Sequence, residues 1–155
     1  MNASDPITSD AVEKWGPRDP VPTGGLRVIV VTPEQTVFDA AAPFVALPLY
    51  DGELGVAPGH APMIGRLGYG ELRIGHEPSQ QSFYVDGGFV QVADNLVSVL
   101  TNRAIPAKKL DVAAIREALR AATSMKAAGD DQIARRDRLV AQARAQLHVV
   151  EHAGS

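Results

Sequence analysis

Cysteine is absent from the 155 residues. Disulfides, thiol catalysis and thiolate-held zinc or iron–sulfur groups are therefore excluded. A basic excess is absent too. Lys and Arg number 15 against 18 Asp and Glu, a formal net charge of -3. A general nucleic-acid binder carries the opposite balance, so no nucleic-acid partner is expected. No apolar run reaches the ~18 residues of a membrane-spanning helix. The opening segment lacks the apolar h-region of a signal peptide. Peripheral attachment to a membrane complex stays open. The phosphate-cradling patterns GxxxxGKS/T and GxGxxG are missing. What remains is 45% hydrophobic and 21% charged, the composition of a globular chain with a real core.

Glycine, proline and charge all change character near Pro106. Eleven of the 14 glycines lie between Gly24 and Gly88, and no proline follows Pro106. Residues 1–105 carry 6 basic and 12 acidic side chains, and residues 106–155 carry 9 and 6. The chain thus divides into an N-terminal extension over 1–24, a β domain over 25–105 and a helical hairpin over 106–151. Trp15 in the extension reads as a docking anchor or as a partly exposed aromatic.

The β domain is a series of short β-branched or alternating runs: LRVIVV from Leu26, VFDA from Val37, FVALPLY from Phe44, GELGV, MIGRL, GYGELRI, SFYVDGGFVQV and NLVSVL. Asp51-Gly52 and Asp94-Asn95 read as turns. Pro48 removes a backbone donor, so its strand is expected to be an edge or to bulge there. Close turn signals leave no room for crossover helices, which points to a sandwich or barrel rather than a parallel sheet. Beyond it, Asp111 is expected to cap a helix running to about Ala127, with Ile115, Leu119, Ala122 and Met125 on one face. Gly129 stops it, and Asp130 or Asp131 opens a second helix with Ile133, Val140 and Leu147 in line, joined by Ala143 and Val150. The short link makes the helices antiparallel neighbours. Their alanine-rich face is too thin to stand alone, so the hairpin needs a further surface.

Candidate chemistry is sparse. His60, between Gly59 and Ala61, reads as a turn or interface histidine, or as a general base with Asp51 or Glu53. His148 and His152 share a helix face and could begin a metal site, but no third ligand is evident, so they read as a solvated tail. Of Asp39, Asp51, Glu53, Glu71, Asp86 and Asp94, most fall at expected strand ends, where carboxylates read as solvated or as facing a basic partner. Arg135, Arg136 and Arg138 read as a solvated face or as the contact for an acidic protein groove.

Gly52–Pro62, GELGVAPGHAP, resembles the signature segment of the epsilon subunit of F-type ATP synthase. Gly70–Ile74, Tyr84–Val92, Leu96–Leu100 and Leu110-Asp111 resemble later pieces of that family, in order, over about residues 25–150. The resemblance implies a β-sandwich of about ten strands followed by a C-terminal antiparallel two-helix hairpin. It implies a non-catalytic rotor subunit of a proton-translocating synthase, without a cofactor. Its partners would be the gamma subunit, the polar loops of the c-ring and, with the hairpin extended, the alpha and beta catalytic subunits. Its place would be peripheral, on the cytoplasmic face of the cell inner membrane. The hairpin would restrain ATP hydrolysis. By position, Glu53 would face the c-ring loops, His60 would lie beside the gamma contact, and Arg135, Arg136 and Arg138 would meet acidic surface on the catalytic subunits. The chain departs from the family in its longer start, in Leu47–Asp51, and in Ala114-Ile115, Gln142 and Gln146, which stand where ATP-binding members carry arginines or an Arg-Ala pair. Those last departures argue against ATP binding by the hairpin. The competing expectation is a free-standing β-sandwich adaptor whose hairpin dimerises.

Overall fold

The computed structural model describes residues 24–153; most of the N-terminal extension, with Trp15, lies outside the described residues. Eight strands come first: β1 Leu26–Val31, β2 Thr36–Ala42, β3 Val45–Leu49, β4 Gly52–Val56, β5 Met63–Ile74, β6 Gln81–Ala93, β7 Leu96–Leu100 and β8 Ala104–Pro106. A 3₁₀ turn, Ala107–Lys109, leads to helices α1 (Val112–Thr123) and α2 (Asp130–Ala153).

The strands form one path, β2-β1-β7-β6-β5-β3-β4, with β8 on β6. That path folds over on itself. Val28 and Val30 of β1 share a buried cluster with Val45 and Leu47 of β3, although three strands separate them in the sheet. The long strands β5 and β6 make the fold-over. Their N- and C-terminal halves pair with different neighbours: Phe83–Val85 of β6 with β8, and Phe89–Ala93 with β7. Leu67 of β5 meets Leu49 of β3, while Arg73 and Ile74 meet Ala46 and Val45. Eight elements thus supply five strand segments to each layer of a β-sandwich. Gly87 and Gly88 sit at the crossing with φ of 72° and 110°. A Cβ on Gly88 would lie 1.9 Å from the Leu100 carbonyl oxygen, so only glycine fits.

Pro48 is not on an edge, because β3 pairs with β4 on one side and β5 on the other. The ladder to β5 instead loses register between Ala46 and Leu49, the bulge that a missing donor requires. Gly70 of β5 makes space for it: a Cβ there would come within 2.8 Å of the Pro48 ring. Asp94 and Asn95 both take left-handed φ, 51° and 61°, which closes the β6–β7 hairpin. β1 runs parallel to β7 in an otherwise antiparallel sheet.

The hairpin begins where expected. The Asp111 carboxylate accepts from the Ala114 N–H at 3.2 Å, capping α1. α1 ends at Thr123, about a turn before the expected Ala127. α1 packs chiefly on α2, and α2 packs on β5, β6 and the 3₁₀ turn. Ile115 and Ala122 of α1 are buried, as is Ala143 of α2. Ile133 stays exposed, so the expected stripe on α2 begins one turn or more later. α2 also buries Val149, fully, against Tyr84 and Ala107 of the β domain. That face is separate from the Val140, Ala143, Leu147 and Val150 stripe by roughly 150° of helix rotation.

Candidate functional site

Two surfaces carry the features that could do work: the seam between α2 and the sandwich, and the outward face of β5, β6 and β7. The seam is polar at its centre. Asp86 on β6 has its side chain almost wholly covered. Its Oδ1 accepts from the Tyr84 hydroxyl at 2.9 Å and from Gln142 Nε2 of α2 at 2.9 Å. Its Oδ2 accepts from Arg103 Nε at 2.9 Å. Burial drives the Tyr84 phenol well above its ordinary range, and the Asp86 charge adds to this. Burial works against the Arg103 guanidinium, but its hydrogen bond to Asp86 and that charge outweigh it and raise its proton affinity. Three of the four groups belong to the β domain, and only Gln142 reaches the cluster from the helix.

The second end of the seam is charged. His152 Nδ1 in the last turn of α2 lies 2.6 Å from Glu71 Oε1 of β5. Arg73 reaches both Glu53, at 2.8 Å, and Glu71, at 3.5 Å. The Glu71 side chain is only 6% exposed, and its Oε2 has no hydrogen-bond partner. An open groove of about 790 Å³ runs alongside, lined in part by Phe44, His76, Lys108 and His152.

These contacts correct two sequence expectations. Of the two alternatives, Asp86 and Glu71 face basic side chains, Arg103 for one and Arg73 and His152 for the other, but from buried mid-strand positions rather than strand ends. Asp39 is also engaged, by both Arg27 Nε and Nη2 at 3.1 Å. Nor is His152 a solvated tail, since Glu71 fixes it and its ring lies parallel to that of His148, 6.1 Å away. No signal in the sequence links positions 71 and 152. Gln142 and Gln146 stood out only as departures from a motif, yet Gln142 binds Asp86 and Gln146 a hydrogen-bond neighbour of Tyr84.

The outward face is apolar. Ile64, Phe89 and Leu100 are 75%, 59% and 45% exposed. Phe89 stands opposite Arg66 on one side and Leu100 on the other, and Ile64 lies two residues before Arg66 on the same face. The Arg66 guanidinium sits over the exposed Tyr50 ring, 4.4 Å from its centre. The result is a stripe across three strands that holds three of the most exposed large apolar side chains among the described residues.

The expected interface residues occupy three places. Glu53 lies on β4 at the rim of one layer, half-exposed and bonded to Arg73. His60 follows a turn tied to the β6–β7 hairpin: the Gly59 N–H donates to Asn95 Oδ1 at 2.7 Å, and His60 Nδ1 lies 2.7 Å from the Ala61 carbonyl. Arg135, Arg136 and Arg138 lie in the N-terminal half of α2. Arg135 and Arg138 are three apart on one side, whereas Arg136 turns away and meets Asp137 at 3.3 Å. The structure therefore joins Glu53 to the seam through Arg73, and brings neither His60 nor the arginines to it. Among the described residues, no group of three or more His, Asp or Glu is placed to hold a metal ion, and no helix is long and apolar enough to cross a membrane.

Comparison with known proteins follows the same lines. The sequence model described as "ATP synthase, Delta/Epsilon chain, beta-sandwich domain" matches residues 25–107. An ATP synthase epsilon chain from Rhodopirellula baltica is 50% identical over 122 residues, spanning 79% of this chain and 95% of its own length. ATP synthase epsilon chain 1 of Methylococcus capsulatus is 39% identical over 132 residues, 82% of this chain and 93% of that one. Among solved structures, a chain of the Euglena gracilis mitochondrial ATP synthase OSCP/F1/c-ring assembly superposes with a TM-score of 0.65 at 20% identity, covering 86% of this chain and 81% of that chain. A chain of the Tetrahymena thermophila mitochondrial ATP synthase central stalk and c-ring gives 0.63 at 14% identity, covering 81% and 96%. At those identities the two structures speak for the fold.

Proposed function

Since the chain belongs to the ATP synthase epsilon-chain family, we propose that it links the gamma subunit to the c-ring in the central stalk of a proton-translocating synthase. It is a non-catalytic subunit, held peripherally at the cytoplasmic face of the inner membrane by the rest of the complex. The observation that carries this reading is the stripe of Ile64, Phe89 and Leu100. Large side chains left in water on a rigid sheet mark a surface made to be covered. Gamma is its occupant. The His60 turn, four residues before Ile64, extends the same contact. The rim of the other layer, with Glu53 and Asp51, faces the polar loops of the c-ring. The arginines of α2 serve a third partner: with the hairpin swung out, Arg135 and Arg138 meet acidic surface on the alpha and beta subunits and restrain ATP hydrolysis.

Phe89→Asp tests the gamma contact. A central aromatic contributes about 2 kcal/mol or more to an interface, so affinity for purified gamma should fall about 30-fold or more. Native affinity in that variant removes gamma from the stripe. In the reconstituted complex, Arg135→Glu with Arg138→Glu should raise ATPase activity severalfold by relieving restraint. Unaltered activity removes the arginine contact and leaves the gamma contact standing.

A further inference from the structure

Two hollows flank the β5–β6 loop, and the chain enters the sandwich at the rim of one of them. The smaller, about 400 Å³, has Phe38, Ala41, Ala42 and Pro43 in its wall. The larger is the groove of about 790 Å³, with Phe44, Phe83, Pro106 and Lys108 in its wall. Gly75, His76, Glu77 and Gln81 line both, so the two adjoin. Leu26, the first residue of β1, pairs with Ala42. A Cβ on Gly25 would lie 3.6 Å from the Ala42 carbonyl oxygen. The backbone ahead of β1 therefore starts against the wall of the smaller hollow.

Residues 1–23 precede that point, and their sequence suits the two hollows. Trp15, the chain's single tryptophan, stands nine positions before Gly24. Nine residues span at most about 30 Å, enough to pass the smaller hollow and enter the larger. Pro17, Pro20 and Pro22 fall between. Proline restricts the unbound chain, so ordering this stretch costs less entropy, and proline-rich segments settle in aromatic-lined grooves. The groove has such a wall: His76 is exposed and stacked on Phe44, with ring centres 5.2 Å apart. Charge agrees as well. Residues 1–23 carry four acidic and two basic side chains, whereas the groove presents Arg73 and Lys108 against Glu77.

We propose that residues 1–23 dock on their own sandwich, with Trp15 seated in the larger groove and the Pro17–Pro22 stretch crossing the smaller hollow. The indole stacks on His76 and extends the Phe44–His76 pair to three rings, with the Lys108 ammonium beside it. Tethering favours this occupant over a separate molecule. A short linker holds the segment at an effective concentration on the order of millimolar, so contacts too weak to recruit a free partner still fill the groove. The groove lies at the Ile74 end of β5, and the exposed stripe at the Ile64 end. The segment therefore does not compete for the surface assigned to gamma.

Trp15 fluorescence reads the seat in the isolated full chain. Acrylamide should quench it about three- to tenfold less than it quenches the free peptide 1–23, because a seated indole is covered by its neighbours. His76→Ala with Lys108→Glu changes two exposed side chains and should leave the urea transition of the sandwich in place. The pair should bring quenching to within about twofold of the peptide, and Lys108→Glu alone should recover part of that change. Diluting the native chain about a hundredfold should not alter the shielding, since the contact is intramolecular. Equal quenching in chain and peptide overturns the proposal and leaves the groove to another partner. Shielding that survives the paired substitution seats Trp15 elsewhere and overturns it too. Shielding lost on dilution overturns it in favour of a second copy of the chain. No other subunit is present, so the outcome is separate from that of the gamma contact.

Discussion

The two layers of the sandwich are held together by sixteen fully or nearly buried apolar side chains, among them Leu26, Val45, Leu72 and Val90. Beneath α2 the buried cluster contains three: Tyr84, Ala107 and Val149. Full burial of one such aliphatic residue contributes about 1.5–3 kcal/mol. The sandwich therefore rests on non-directional burial, and the seam on a few directional bonds. The difference teaches how one chain can join a deeply packed body to a lightly held helix pair. Without α2, Asp86 would still have Tyr84 and Arg103, both on its own side of the seam. Opening strands no buried charge at that site, so the expensive failure of a broken buried ion pair is avoided.

The sharpest way to break this comparison is to cut each side equally. Leu47→Ala, inside the sandwich, should lower global stability by about 2–5 kcal/mol in urea unfolding. Val149→Ala, the same kind of cut at the seam, should leave the sandwich transition in place. It should instead weaken protection of amides 140–150 by about 1–2 kcal/mol. If both variants shift one common transition equally, sandwich and hairpin are a single cooperative unit and the contrast is gone.

A smaller effect refines the polar part of the seam. Asp86→Asn removes the charge that Arg103 and Tyr84 bind within the β domain and should lower the stability of the sandwich by about 1–3 kcal/mol. It also gives a spectroscopic signal. Burial comes first among the causes that raise the Tyr84 phenol, and Asp86 second. The variant's alkaline absorbance titration should therefore move down but remain above that of a free phenol. The sign for stability follows. A raised acid group favours the folded state fully below the ordinary phenol value of about 10, and that contribution is lost as pH climbs beyond it. Asp86→Asn should thus flatten the loss of stability above about pH 10. An unmoved titration would mean that burial alone acts on Tyr84.

Local signals were legible in the sequence, and long-range ones were not. Asp111 as a cap and Asp94-Asn95 as a turn are decided within a few residues, and the structure has both; Gly129, expected to stop α1, instead takes its φ of 83° just ahead of α2, well past the end of α1 at Thr123. The strand runs were legible for the same reason. The crossing of β5 and β6 between layers was not, because it uses no turn: Gly87 and Gly88 look like any flexible pair until the Leu100 carbonyl is seen against them. Pro48 left edge and bulge open, and only the β5 pairing decides between them. The docking face of α2 was hidden because Gln142 and His152 are the residues of a wet surface, and period alone cannot separate a polar contact from solvent. Glu53, His60, Arg135, Arg136 and Arg138 were expected from resemblance alone, while Asp86, Glu71 and the Ile64–Phe89–Leu100 stripe needed coordinates.

The sharing of β5 and β6 between layers has a mechanical consequence. In two stacked sheets joined only by loops, a sideways load on one sheet is resisted by side chains sliding over each other. Here a pull at Ile64 or Phe89 travels along unbroken peptide backbone into the opposite layer, where Leu72 and Phe83 are anchored. Covalent bonds in tension yield far less than packed methyl groups in shear, so a twist applied to one face of this body reaches the other with little lag.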